Sequence, residues 1–182
     1  MLRRMLRDHA DKLRFRHGDA TMDLDGLVRA LRSDLPIELV EPEPRPLPWS
    51  PELARRWAAD VVEQVLSLAG EGDDIATLTF AVATARRVAA GELPPTRLDA
   101  MFAELWAEEW PSYEPPFIHV VEAARQLVAR DELAASPHGS GLIEPGRWAA
   151  AAATHADAAA TAAGEPARGR AYQATRLVHY LL

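Results

Sequence analysis

Four histidines in the C-terminal part of the chain are the side chains best suited to bind a metal ion or transfer a proton: His119, His138, His155 and His179. His119 and Glu122 are three residues apart in a segment with helical spacing, so the two side chains share one helix face. If this chain catalyses a reaction, we would expect a metal-dependent helical-bundle enzyme that uses His119, Glu122 and His155 or His179.

The spacing of these groups matches no standard helical metal site. Di-iron bundles use Glu-x-x-His pairs and zinc helices use His-Glu-x-x-His, and neither pattern occurs. His155 and Asp157 are two residues apart and therefore face different sides of a helix. The chain has no cysteine, which excludes thiolate catalysis and Cys-based zinc sites. The serines follow no Gly-x-Ser-x-Gly pattern, so we expect no metal, no cofactor and no catalytic residue.

The most unusual local chemistry lies in residues 106–117, where aromatic, acidic and proline residues alternate at the junction between two predicted helices. Aromatic side chains provide buried contact area in protein interfaces, and carboxylates attract a basic partner. The alternative is that the tryptophans and Phe117 belong to the core while the glutamates are simply hydrated. Our candidate partner-binding residues are Trp106, Glu108, Glu109, Trp110, Tyr113 and Glu114.

Composition indicates a folded protein with an acidic surface. The chain has 182 residues, of which 48% are hydrophobic and 26% charged, with a formal net charge of −7. That charge disfavours nucleic acid as a partner and favours a basic protein. No uncharged run approaches the roughly 20 residues needed to span a bilayer, and the basic N-terminus leads into no apolar segment. We therefore expect a cytoplasmic protein with no membrane contact; the oligomeric state is left open.

The first 49 residues are expected to form an appendage and a connector. Residues 2–16 and 24–31 have amphipathic helical spacing, and the first of these segments is rich in arginine. Ile37–Val40 is the only candidate strand. Four prolines between residues 42 and 48 predict an extended connector over 41–49, after a helical appendage over 1–40.

The remaining residues, 50–182, are expected to form the main helical domain. Ser50 and Pro51 are typical of a helix start, and glycines and prolines separate the apolar segments that follow. Helices are predicted over residues 51–68, 75–90, 98–110, 117–132, 145–163 and 167–182. The predicted fold class is all-α, with stacked antiparallel helical hairpins in a bundle or a short solenoid-like body.

Two segments of this domain are similar to each other at a constant offset. Arg56-Trp57-Ala58-Ala59 recurs 91 residues later as Arg147-Trp148-Ala149-Ala150, and Ala83-Thr84 recurs as Ala174-Thr175 at the same offset. This pattern predicts an internal two-fold repeat of hairpins over 54–91 and 145–182. Trp57 and Trp148 would then occupy equivalent buried positions.

The segments Arg56–Leu66, Ala81–Leu93 and Arg147–Gly164 resemble the alanine-rich, all-helical immunity protein family of bacterial polymorphic toxin systems. The likeness covers about residues 54–93 and 146–180. Val61 stands where that family usually has a cysteine, and Ala171–His179 stands where the family has a final helix rich in histidine and alanine. The resemblance implies a non-enzymatic, cytoplasmic immunity-type antitoxin that neutralises a toxin by direct binding.

Overall fold

The computed structural model of the protein describes residues 14–17, 20–23, 26, 37–41, 45–46, 50–70, 73–129 and 147–181. From residue 51 onward the described residues form helices joined by turns and loops. We name the helices α1 (Pro51–Val65), α2 (Asp73–Ala89), α3 (Thr96–Ala107), α4 (Phe117–Val128), α5 (Arg147–Ala162) and α6 (Pro166–Leu181). A short 3₁₀ helix, Leu66–Ala69, follows α1 directly.

Local signals in the sequence explain where several of these helices begin and end. The Ser50 hydroxyl accepts a hydrogen bond from the N–H of Leu53 at 3.2 Å, and Pro51 occupies the first turn of α1. After α2 and α5 the chain passes through Gly91 and Gly164, with φ of 76° and 82°. These left-handed values are costly for any residue with a Cβ atom, so glycine ends both helices.

The core is formed by one face of each helix. α4 and α5 share the most extensive helix–helix contact, and α1 packs against α2, α4, α5 and α6. Alanines on α1, α4 and α5 allow these helices to approach closely around two buried tryptophans, Trp57 and Trp148. The larger buried aliphatic side chains around them are Val61, Leu78, Leu98, Leu105, Leu127 and Leu177.

The predicted helical body is confirmed as a set of packed helices, but the internal repeat stays a prediction. Trp57 and Trp148 are both buried, at 0% and 1% exposure. Their surroundings differ, however. The indole N–H of Trp57 donates to the carbonyl of Gln173 at 3.0 Å. The indole N–H of Trp148 has no hydrogen-bond partner within the described part of the chain.

The N-terminal segment is where the expected secondary structure is wrong. Apart from Asp23 and Gly26, its described residues form four short strands, β1 (Arg14–His17), β2 (Ala20–Met22), β3 (Ile37–Glu41) and β4 (Arg45–Pro46), in an antiparallel sheet of order β2-β1-β3-β4. The predicted helix over 2–16 is therefore wrong at residues 14–16, and its other residues lie outside the described ranges. The strand expected at Ile37–Val40 is confirmed.

Strand pairing explains the error. Phe15 pairs with Met22 on one side and with Leu39 on the other, and Leu39 is too distant in sequence for a local helical pattern to indicate the contact. Within the predicted connector, Arg45–Pro46 also pairs, with β3, as the edge strand of the sheet. An edge position tolerates proline because one side of the strand needs no N–H donor. Of the predicted helix over 24–31, only Gly26 is described; it is helical, and its N–H donates to Asp23 at 2.8 Å.

None of the described helices combines the length and apolar character needed to cross a bilayer.

Candidate functional site at the junction of α3 and α4

The segment between α3 and α4 is anchored by one aromatic side chain. Trp110 is only 5% exposed, its ring lies 5.9 Å from that of Phe117, and its indole N–H donates to the carbonyl of Leu105 at 3.3 Å. Trp110 therefore belongs to the core and cannot contact a partner directly. Trp110 is one of the predicted partner-binding residues, but it is buried here because the chain leaves helical geometry after Ala107.

The other predicted residues of the junction lie at the surface. Trp106 is 56% exposed and Tyr113 is 68% exposed, and they are two of the three large hydrophobic side chains that are exposed within the described ranges. Glu108, Glu109 and Glu114 are exposed as well. We call Trp106, Glu108, Glu109, Tyr113 and Glu114 the junction surface. It places two aromatic rings and three carboxylates on nine consecutive residues.

Arg125 of α4 supports this surface from beneath. Its guanidinium lies 4.1 Å from the centre of the Trp106 ring. It also donates to the carbonyl of Leu105 through Nε at 3.3 Å and Nη2 at 3.1 Å, and to Glu122 at 2.6 Å. Leu105 lies in the last turn of α3, where carbonyl groups have no partner within the helix, so Arg125 caps that helix end.

His119, His155 and His179 have different surroundings. Packing of α4 against α5 brings the rings of His119 and His155 to 6.2 Å between centroids. Burial lowers the pKa of His155; the charge of Glu122 opposes this and the neighbouring His119 adds to it. His179 instead contacts the ring of Tyr180 at 5.4 Å.

The packing of α4 against α5 brings together some of the residues that the sequence offered as metal ligands. His119 and His155 are neighbours, and Glu122 lies near enough to influence His155. The Glu122 carboxylate, however, is paired with Arg125. Over the described ranges, no group of three or more histidine or acidic residues is arranged to hold a metal ion.

A buried charged cluster that the sequence analysis does not identify is centred on Asp60. Asp60 of α1 is 4% exposed and accepts hydrogen bonds from Arg86 at 2.7 Å, from Arg176 Nε at 2.6 Å and from the hydroxyl of Tyr180 at 2.9 Å. A second guanidinium nitrogen of Arg176 also donates to Asp60. Arg86 in addition pairs with Glu63, at 2.7 Å for each of two bonds. The cluster thus links α1, α2 and α6.

The electrostatics of this cluster follow from burial and hydrogen bonding. Burial by itself would raise the pKa of Asp60, but the hydrogen bonds from Arg86, Arg176 and Tyr180 outweigh it, and the net pKa lies below its ordinary value. Burial and the charge of Asp60 raise the pKa of Tyr180. The carboxylate is therefore ionised and neutralised by its neighbours, which indicates a structural ion network. One signal was available in the sequence: Asp60 interrupts the apolar face formed by Trp57 and Val61.

Comparisons of the chain with protein-family models, with curated proteins and with solved structures found no match in any of the three. What the structure itself shows is a mainly helical protein that exposes aromatic and acidic side chains in the segment between α3 and α4.

Proposed function

We propose that the protein is a non-enzymatic, helical protein-binding protein whose junction surface binds a basic protein partner. The observation that carries this proposal is the exposure of Trp106 and Tyr113 beside Glu108, Glu109 and Glu114. In the particular form that the sequence resemblance suggests, the protein is an immunity-type antitoxin and the partner is a toxin.

Aromatic side chains contribute most to binding when they are held in place before the partner arrives. Trp110 and Phe117 pack against each other in the core on either side of the loop. The N–H of Glu114 donates to the hydroxyl of Ser112 at 3.1 Å, which adds a local constraint. The loop therefore loses less conformational freedom on docking than an unanchored segment would.

The three glutamates would act mainly on the rate of encounter. Exposed charges steer a partner of opposite sign over roughly a Debye length, about 8–10 Å at physiological salt. Contacts made by Trp106 and Tyr113 would instead slow dissociation, because those rings must be hydrated again when the partner leaves.

The proposal is tested with the purified products of the genes that flank the one encoding this protein. Each is titrated against the wild type and against a triple variant with Glu108→Lys, Glu109→Lys and Glu114→Lys. We expect a basic product to bind, and the triple variant to associate about tenfold more slowly at low salt with a smaller difference at high salt.

A second triple variant serves as the control for net charge. Glu52→Lys, Glu92→Lys and Glu165→Lys change three exposed glutamates outside the junction and alter the total charge by the same amount. We expect this variant to associate nearly as fast as the wild type. Equal effects of the two triple variants would reject the junction surface, and absence of binding by every flanking product would reject the antitoxin proposal.

One observation keeps the alternative of a metal-dependent helical-bundle enzyme testable, namely the contact between His119 and His155. We expect purified protein to contain no stoichiometric zinc or iron. One equivalent of either metal, lost in a His119→Ala variant, would favour the enzyme over the binding protein.

A further inference from the structure

Arg125 holds an exposed ring from a buried position. Its side chain is almost fully buried, whereas the Trp106 ring on which its guanidinium lies is more than half exposed. The bonds to Leu105 and Glu122 occupy the guanidinium edge. The guanidinium is therefore held in place against the indole, whose ring also lies 6.0 Å from the ring of Phe102.

The same arrangement occurs a second time in the interior. Arg55 of α1 donates to the carbonyls of Leu127 and, at 3.1 Å, Ala129, at the end of α4, and its guanidinium lies 3.9 Å from the centre of the Trp148 ring. Each arginine thus caps a helix end and stacks on a tryptophan. The difference is that Trp148 is buried and Trp106 is exposed, so only one of the two rings is available to another molecule.

We propose that Arg125 is a positioning residue that fixes Trp106 for binding and leaves the exposed part of the indole to an apolar side chain of the partner. This inference rests on the proposed function of the junction surface. Basic groups of the same partner would contact Glu108, Glu109 and Glu114 around that apolar side chain.

Two physical effects support the assignment. An unrestrained exposed tryptophan samples several rotamers, and ordering it on binding weakens affinity, so a ring that is already held binds about threefold to tenfold more tightly. In addition, a cation is attracted to the electron-rich face of an indole. Because Arg125 already polarises the ring from one side, a second cation on that ring would be attracted less and would be repelled by the Arg125 charge, whereas an apolar group meets no such repulsion.

The positioning role is tested on the free protein, without any partner. Arg125→Lys keeps the charge but loses the planar group that stacks on the ring and donates two bonds to Leu105. We expect the order parameter of the Trp106 indole N–H, measured by nitrogen-15 relaxation, to be about 0.85 in the wild type and below about 0.6 in the variant. An unchanged order parameter would overturn the assignment.

Arg55→Lys is the matched control, since it removes the same kind of helix cap and the same kind of stack in the core. We expect it to lower the melting temperature as Arg125→Lys does, yet to leave the order of the Trp106 indole unchanged. If both variants loosened Trp106 equally, the effect would be a general loss of stability, and the positioning role would be refuted.

A second measurement decides the matter if Arg125→Lys does not fold. The ring current of Trp106 should shift the side-chain protons of Arg125 upfield in the wild type. We expect this shift to disappear in Trp106→Leu, a change at an exposed position. Arg125 protons at the same positions in both proteins would show that the stack does not form in solution.

The chemistry of the partner is tested with two tripeptides of equal charge, acetyl-Lys-Leu-Lys-amide and acetyl-Lys-Gln-Lys-amide. We expect the leucine peptide to bind the wild type about threefold more tightly, as read from the Trp106 indole signal, and this preference to vanish in Arg125→Lys. Equal affinities in the wild type would overturn the apolar assignment. If neither peptide perturbed the signals of residues 106–114, the proposed function would fail, whereas the relaxation data would still decide the role of Arg125.

Discussion

Replacing Asp60 with asparagine should destabilise the protein strongly while preserving the shape of the side chain. The carboxylate accepts hydrogen bonds from Arg86, Arg176 and Tyr180. An amide carries no charge, and its NH₂ group would face guanidinium donors. Removing one partner from a buried ion pair typically costs about 3–5 kcal/mol, because a charge is left without compensation.

The structure places Asp60→Asn at the lower end of that range. Arg86 keeps its two bonds to Glu63, and the Arg86 and Arg176 side chains are 36% and 32% exposed, so water can hydrate part of the charge that is released. We therefore expect a loss of about 3 kcal/mol in the free energy of unfolding.

Chemical denaturation followed by far-ultraviolet circular dichroism measures this loss, with Glu63→Gln as the matched control. Glu63 bonds the same Arg86 but has a side chain that is 52% exposed, so its removal should cost less than about 1 kcal/mol. The midpoint should shift at an unchanged slope. The reasoning is refuted if Asp60→Asn lies within about 0.5 kcal/mol of the wild type, or if both variants cost the same.

Three further predictions concern pH and packing. The pKa of Asp60 is lowered in the folded state, so the stability it contributes is present above the ordinary aspartate pKa of about 3.9 and is lost as pH falls through the folded pKa. Asp60→Asn should therefore lose less of its stability than the wild type between about pH 5 and pH 2, as measured by thermal melts at a series of pH values. Burial lowers the pKa of His155, so the unfolded chain binds the proton more readily and the free energy of unfolding should fall as pH drops below about 6.5. In His155→Gln the melting temperature should depend less on pH below that value, and an unchanged pH dependence would contradict this prediction. Trp57→Ala should cost about 3–5 kcal/mol in chemical denaturation, because it removes a fully buried ring and leaves a cavity; a cost under about 1 kcal/mol would show that the site collapses around the gap.

Most helix positions in the body could be predicted from the sequence. α2 was expected over 75–90 and spans Asp73–Ala89, and α5 was expected over 145–163 and spans Arg147–Ala162. Apolar spacing, caps and helix-ending glycines act within a few residues, so a local pattern is sufficient to predict them.

The end of α3 shows where local patterns stop being sufficient. The spacing predicted a helix through Trp110, but α3 ends at Ala107 and Trp110 packs against Phe117. The indole N–H of Trp110 and the guanidinium of Arg125 both donate to the carbonyl of Leu105, although Arg125 lies 20 residues further along the chain than Leu105. Nothing near Trp110 in sequence indicates that contact.

Within the junction, the sequence by itself determined which side chains are aromatic and which are acidic, because residue types and charge can be read directly. Only the tertiary structure decided that Trp110 is buried while Trp106 and Tyr113 are exposed, since burial depends on which helices pack together. The same holds for Asp60 and Arg176, which are 116 residues apart, and for the pairing of β1 with β3. Helix starts and ends depend on neighbours along the chain, whereas ion networks, stacked rings and strand pairs depend on residues that are distant in sequence and meet only when the chain has folded.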